Sequence, residues 1–381
     1  MDRMSQANRK RIKLCYVLPE VDVTTDSHYY HLYEFLEHVG RKISLTVIAE
    51  RSPKNIHIKN ARVQRVSQVP LFRGPHLFLI LLAKRFLGCK QFYIHYSTTA
   101  AILCSLITRI FGGTTYYWNC GMVWELHETG LRYVQHRLPF YLTLRLVTYL
   151  VTGTKTMADG YAKHYGIPRR KVLVIPNYIN LNRFRSSATK IQLRKKLGMP
   201  VQKKIVLFVH RLAPRKGAHH LPQIIKEVTK RAHNAHFYIV GKGPYEQQLQ
   251  KELNIMNLIK HTTLTGAIPN AKIPELMHAS DVFIMPSEEE GFPRVLLEAM
   301  ASGLPFVATD VGGVRDILTK LQKEKCLVLK EDVRRFGERT ISLLKKNNDN
   351  LIEEGKKHVQ QFSLTQIEKV FLNIIRADMR K

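Results

Sequence analysis

An alternation of short apolar segments with stretches of helical period, run through twice, constrains this chain more than any other feature. In the first half, IKLCYVLP (12–19), ISLTVIAE (43–50), FYIHYS (92–97), TTYYWN (114–119) and KVLVIPN (171–177) read as strands. Helical patterns lie among them at about 28–39, 77–87, 98–111, 138–150 and 156–165. A polar, basic stretch at 181–204 interrupts the pattern, which then resumes with KIVLFVH (204–210), AHFYIVG (235–241), HTTLTG (261–266), DVFIMPS (281–287) and PFVATDV (305–311). The helices of this half read at about 218–232, 245–253, 272–279 and 294–302. Strands that take turns with helices are joined by crossovers and are covered on both faces, so they appear as apolar runs rather than as alternating ones. The expectation is an α/β protein with parallel sheets.

A chain of 381 residues has room for two such cores. The boundaries expected are a first Rossmann-like domain at 1–184 and a linker with one short helix at 185–203. A second Rossmann-like domain follows at 204–361, and a closing helix at 362–381 returns to the first. The two domains are expected to face each other across a cleft. Ligands of such sheets lie beyond the carboxyl ends of the strands, so functional residues should sit in strand-to-helix loops.

Charge narrows the partners. Sixty Lys and Arg against 30 Asp and Glu give a net charge of +30, a field that attracts polyanions such as nucleic acid, anionic membrane or phosphorylated substrates. The basic residues are spread through both halves with no zinc finger, RNP-like motif or basic region with interleaved aromatics, which speaks against nucleic acid. The longest apolar run, LFLILLA (77–83), falls far short of the roughly 20 residues of a membrane span. Apolar residues 12–19 read as a first strand rather than a leader. Cys15, Cys89, Cys104, Cys120 and Cys326 are scattered and odd in number, which suggests a reducing compartment and a cytosolic address.

Two motifs carry chemistry. HRLAPRKG (210–217) follows a strand and places Arg211 and Lys216 just before a helix beginning near Gly217. Two cations beside exposed helix N–H groups suit a diphosphate. The second motif is EEEGFPRVLLEAMASGLPFVATDVGG (288–313). Glu290 ends a loop, Gly291-Phe292-Pro293 turns the chain, and the helix that follows carries Glu298 within an apolar face. Pro293 suits a first helical turn, and Gly291 permits close approach of a ligand to the backbone. Glu298 is placed to accept hydrogen bonds from vicinal hydroxyls such as those of a ribose.

These pieces resemble the retaining nucleotide-sugar glycosyltransferases of glycosyltransferase family 4, which have the GT-B fold. The likeness rests on the R-x4-K loop at Arg211 and Lys216, VGKGPYEQQL (240–249), LTGAIPNAKIPELMHASDVFIMPS (264–287), the E-x7-E pair, and VLVIPNYINLNRF (172–184) at the end of the first half. The resemblance implies that Arg211 and Lys216 stabilise a departing nucleoside diphosphate. Glu298 would hold the ribose and Glu290 a hydroxyl of the donor sugar, while Gly291, Phe292 and Pro293 line sugar and diphosphate. Gly241, in VGKGP, is expected among the substrate-binding positions. The donor would be UDP- or GDP-linked, and protein cations would replace a divalent metal, so neither metal nor other cofactor is expected.

In the first half the likeness is looser. The family's glycine-rich first loop is replaced by Thr24-Thr25-Asp26-Ser27, followed by His28 in the position of a substrate-binding histidine. Asn119 stands where many relatives carry a catalytic histidine, with His127 and Glu128 in the loop that follows. Cys120 has no identifiable base and reads as a structural thiol. His210 occupies a position where a small residue often precedes the arginine. On the acceptor side, the apolar, cation-flanked stretches at 73–90 and 140–155 read either as core helices or as a surface for anionic lipid. The function expected is transfer of a hexosyl-type group to a lipid-linked or polysaccharide acceptor in cell-envelope glycan synthesis, by a protein that is cytoplasmic or peripheral at the inner face of the membrane. The alternatives are a related sugar-nucleotide epimerase and a non-catalytic relative that binds polyanions.

Overall fold

KLCYVL at Lys13–Leu18 (β1) buries every residue after the first, as a strand covered on both faces must. It lies in the interior of a seven-stranded parallel sheet. In this computed structural model, which describes residues 11–21, 30–53, 56–125 and 133–378, the chain forms two α/β units. The first contains the described residues up to Gly153, Met157–Ile175 and those from Glu368 on; the second contains Thr154–Thr156 and Pro176–Ile367.

The first sheet adds β2 (Ser44–Ala49), β3 (Ala61–Arg65), β4 (Gln91–His95), β5 (Thr114–Trp118), β6 (Tyr149–Thr152) and β7 (Val172–Val174), in the order β3-β2-β1-β4-β5-β6-β7. Two of these strands are unexpected. ARVQR of β3 is a half-exposed edge strand carrying two arginines, so it lacks an apolar run. Residues 138–150, expected as one helix, divide into the helix Leu138–Leu146 and β6, because Val147 breaks into an extended conformation with no Gly or Pro to announce it. The helix expected from 77 begins at Pro70, whose missing N–H costs nothing in a first turn.

The second sheet is made of β8 (Lys204–Val209), β9 (Ala235–Val240), β10 (Thr262–Gly266), β11 (Val282–Met285), β12 (Phe306–Thr309) and β13 (Leu327–Val328), in the order β10-β9-β8-β11-β12-β13. All recorded pairings in both sheets are parallel. Strand order reverses direction between β8 and β11, which pair through Val282–Val206 and Phe283–Leu207. A crevice opens at such a switch point, and the loops leaving β8 and β11 border it.

Residues 185–203, expected as a linker, lie within the second unit. Their helix Lys190–Lys196 starts with a Thr189–Gln192 capping box, and Arg194 ties the stretch down. The buried Arg194 guanidinium donates to Asp281 (2.5 Å), Ala279 O (2.8 Å) and Lys203 O (2.9 Å), so that polar composition hides an anchored segment. The final helix, Leu364–Asp378, contributes its residues from Glu368 on to the first unit. There Phe371 packs against Phe35 and Tyr93 at 5.2 and 5.1 Å, Gln91 donates to Ile375 O, and Lys42 pairs with Glu368 at 3.1 Å.

Candidate functional site

The loops after β8 and β11 are joined by a buried ion pair. Lys216 Nζ donates to Glu290 Oε1 at 2.7 Å, with both side chains less than a tenth exposed. Ser287 Oγ donates to the same oxygen at 2.9 Å, and His210 Nε2 approaches it at 3.4 Å. The Arg211 amide donates to His210 Nδ1 at 2.9 Å, which fixes the ring's proton on Nε2, facing the carboxylate. Burial lowers the His210 pKa, so this ring is neutral. Burial alone would raise Glu290; the Lys216 charge and the His210 hydrogen bond outweigh it and hold the carboxyl at about 2. These bonds all fall on Oε1, leaving Oε2 as the acceptor for a ligand hydroxyl.

Local backbone explains why these loops meet. Gly217 takes φ 72°, and a Cβ there would lie 1.8 Å from the Pro286 carbonyl oxygen, so only glycine lets the two loops touch. Gly241 follows β9 in a similar approach to the His210 carbonyl, where an added Cβ would stand at 1.9 Å. Its amide donates to Gly266 O at 2.8 Å. Gly241 therefore seats β9 against the R-x4-K loop. Leu212 N, bonded to Lys242 O, and Tyr245 N, bonded to Leu212 O, continue that seam.

Arg211 is exposed, and among the described residues its guanidinium has no ion-pair partner. It stands five residues before Lys216 as a cation available to an anion. Gly291 lies under Gly313, whose amide donates to Glu290 O at 2.9 Å and whose Cβ, were there one, would stand 2.1 Å from Gly291 O. The Phe292 ring is buried and packs edge-on to Phe362 at 5.9 Å, so only its backbone can face a ligand. Pro293 is the N-cap of the helix Arg294–Ser302, one position before the first helical turn expected for it, and no side chain caps that helix. The positive end of its dipole thus begins four residues after Glu290. Glu298, in the second turn, is half-buried; burial raises its carboxyl pKa while Arg294 and Arg183 pull it back down. An acceptor for hydroxyls thus sits one turn behind a helix mouth that favours anions.

In the first unit, Asn119 follows β5 and is buried, with Oδ1 accepting from Tyr161 Oη (2.7 Å) and Gly121 N (2.9 Å) and Nδ2 donating to Tyr117 Oη (3.3 Å). Its amide braces the start of the following loop. Cys120 is buried beside it. His28, His127 and Glu128 lie outside the described residues.

Two groups escaped the sequence reading. The first is Ser287, which with His210 orients the Glu290 carboxylate; His210 was singled out beside Arg211, but its approach to Glu290 was not, and the only signal for Ser287 was adjacency to the second motif. The second group is Glu288 with His219 and His220, which the fold brings together across 68 positions of sequence.

Residues 189–358, which carry this geometry, match the family described as Glycosyl transferases group 1. That match lies within the second unit and spans less than half of the chain, and the two Rossmann-like units have the fold of GT-B glycosyltransferases. Among its relatives, TuaC of Bacillus subtilis, provisionally named as a teichuronic acid biosynthesis glycosyltransferase, is 35% identical over 150 residues, 39% of this chain and 36% of that protein. A GDP-mannose-dependent alpha-(1-6)-phosphatidylinositol monomannoside mannosyltransferase of Mycobacterium tuberculosis is 31% identical over 176 residues, 44% of each chain. The matches span less than half the length of these relatives. Anabaena HepE, solved with UDP and glucose, superposes with a TM-score of 0.79 at 17% identity, covering 96% of this chain and 100% of that one.

Proposed function

We propose that this protein is a retaining glycosyltransferase that moves a hexosyl-type group from a UDP- or GDP-linked sugar to a lipid-linked or glycan acceptor of the cell envelope. The observation that carries the reading is the convergence at the β8/β11 switch point of the unpaired Arg211, the Lys216–Glu290 pair and the uncapped helix at Arg294. Together they offer cations and N–H groups for a diphosphate, Glu290 Oε2 for a sugar hydroxyl, and Glu298 for the ribose. The bond between the anomeric carbon and the phosphate oxygen breaks with its electron pair left on the nucleoside diphosphate. The acceptor oxygen attacks from the same face and passes its proton to that phosphate. Arg211 and Lys216 stabilise the charge that develops there, a role a divalent ion fills in other transferases. The names of TuaC and of the mycobacterial mannosyltransferase support an envelope glycan or a glycolipid as acceptor.

Kinetics on two variants test the roles. Glu298→Ala should weaken donor binding by about 10- to 100-fold with a smaller change in kcat, whereas Arg211→Ala should lower kcat by about 10²–10³-fold. Wild-type kinetics in both would refute the assignment.

The acceptor side of the reading includes an anionic membrane surface. No helix among the described residues is long and apolar enough to cross a membrane. In the first unit, however, the helix Thr98–Phe111 packs between Pro70–Phe86 and Leu138–Leu146, and their outer faces expose Leu79, Phe86, Ile110, Phe111 and Leu142. Phe86 and Phe111 touch at 5.1 Å, and the cations Arg73, Lys84, Arg85, Arg109 and Arg145 stand among them. Apolar side chains ringed by cations match the interface of a bilayer containing anionic lipid. Co-sedimentation with phosphatidylglycerol vesicles at low salt should be strong, and it should fall when salt is raised or when Phe86 and Ile110 are changed to Ser. Absence of sedimentation at low salt would remove this part of the proposal.

A further inference from the structure

We propose that His219, His220 and Glu288 form a binding site for a single first-row divalent transition ion of the Zn2+ class, which clasps the two loops that carry Lys216 and Glu290. His219 and His220 lie in the turn Ala218–His220, on the loop leaving β8, and Glu288 lies on the loop leaving β11. One donor atom of each falls within 4.8 Å of the others. His220 Nε2 stands 2.5 Å and His219 Nε2 3.6 Å from the same oxygen, Glu288 Oε1, with the two rings 3.9 Å apart. A proton serves this arrangement incompletely: it joins His220 to Glu288 and leaves His219 beyond hydrogen-bond distance. A cation bonded to all three donors serves it completely.

Two imidazoles and one carboxylate, with a position left for water, suit Zn2+ and its neighbours rather than Mg2+ or Ca2+. Tetrahedral ligands at about 2.0–2.1 Å from the ion lie roughly 3.3 Å from one another. The His219–Glu288 separation already allows this, and the His220 contact opens by about 1 Å as the proton on Nε2 moves to Nδ1. Lys330 Nζ holds the other oxygen, Glu288 Oε2, at 2.9 Å, which orients the carboxylate as supporting groups do around metal ligands. The Glu288 amide also donates to Arg215 O at 3.1 Å, so the loops are already registered at this point. His219 follows Lys216 by three residues and Glu288 precedes Glu290 by two, so an ion here would fix the spacing of that pair without touching it.

The test is calorimetric titration of Zn2+ into the full chain after chelator treatment, joined with X-ray absorption at the zinc edge on the wild-type complex. The expected result is one saturable equivalent whose first shell contains two imidazole nitrogens and one carboxylate oxygen. His220→Gln and Glu288→Gln should each weaken that equivalent by roughly 100-fold or more, whereas His236→Gln, at a histidine bonded to Thr263 near the amino end of β9, should not change it. No saturable equivalent in the wild type, a shell with fewer than two imidazoles, or equal affinity in folded His220→Gln and Glu288→Gln protein would overturn the proposal. The spectrum decides the matter even where a variant does not fold. Donor binding measured without added metal separates this outcome from failure of the transferase reading.

Discussion

Lys216→Ala is expected to lower turnover by about 10²–10³-fold and to destabilise the fold by roughly 3–5 kcal/mol. The first effect follows from removing a cation from the departing diphosphate. The second follows from leaving Glu290 as a buried carboxylate without its counter-ion, with only Ser287 and the neutral His210 beside it. The pH dependence has a definite sign. In the wild type Glu290 is held at about 2, below the ordinary value of about 4.3, so the pair contributes fully above the ordinary value and its contribution fades as pH falls toward 2. In Lys216→Ala burial loses its main opponent and the carboxyl rises. The variant's deficit in urea midpoint should therefore be largest near neutrality and shrink in acid. Lys216→Met with Glu290→Gln should recover part of the stability and none of the turnover, because no buried charge is left unpaired. An unchanged midpoint for Lys216→Ala across the pH range would show that the two groups are not paired in solution.

Gly217→Ala should be nearly as damaging, through backbone rather than charge. Its methyl group would stand 1.8 Å from the Pro286 carbonyl oxygen at φ 72°, and a main-chain atom cannot swing aside. The loops after β8 and β11 would have to part, and a loss above about 4 kcal/mol is expected. Gly303 is the matched control. It has φ 67° at the end of the helix Arg294–Ser302, but the nearest atoms to its added Cβ belong to the Lys356 side chain, whose Cε lies at 2.6 Å and can move. Gly303→Ala should cost only the roughly 1–2 kcal/mol of a left-handed alanine. Denaturant midpoints of the two variants measure the difference, and equal losses would mean that the Pro286 contact does not hold the loops.

The parts of the site that were legible in sequence are those whose chemistry is local. Arg211 with Lys216, and Glu290 with Glu298, each lie within one loop–helix passage, so spacing alone placed them after β8 and β11. The order of the second sheet then brings the passages together, since β8 and β11 pair as neighbours although 72 residues separate Val209 from Val282 in number. What was not legible depends on that neighbourhood. That Lys216 neutralises Glu290 directly, that Ser287 and His210 converge on the same oxygen, and that His219 and His220 meet Glu288 are consequences of pairing, and no pattern within either loop encodes them. The strand errors have a similar cause. Edge strand β3 has no apolar run because only one face meets the core, and β13 has two residues, too few for any periodicity. The two helices Val333–Lys345 and Asp349–His358 follow β13 and were not read for the same lack of a clear strand to set their phase. In residues 185–203, read as a linker with one short helix, the burial of Arg194 was not legible, because the four acceptors around its guanidinium come from two separate segments of the chain.

The most direct measurement is calorimetric titration of the folded wild-type chain with a panel of UDP-, GDP- and ADP-sugars. The account predicts saturable heat with at least one donor, weakened by about 10-fold or more in Glu298→Ala and retained when the free nucleoside diphosphate replaces the sugar nucleotide. Folded protein that gives no heat with any member of the panel would contradict it.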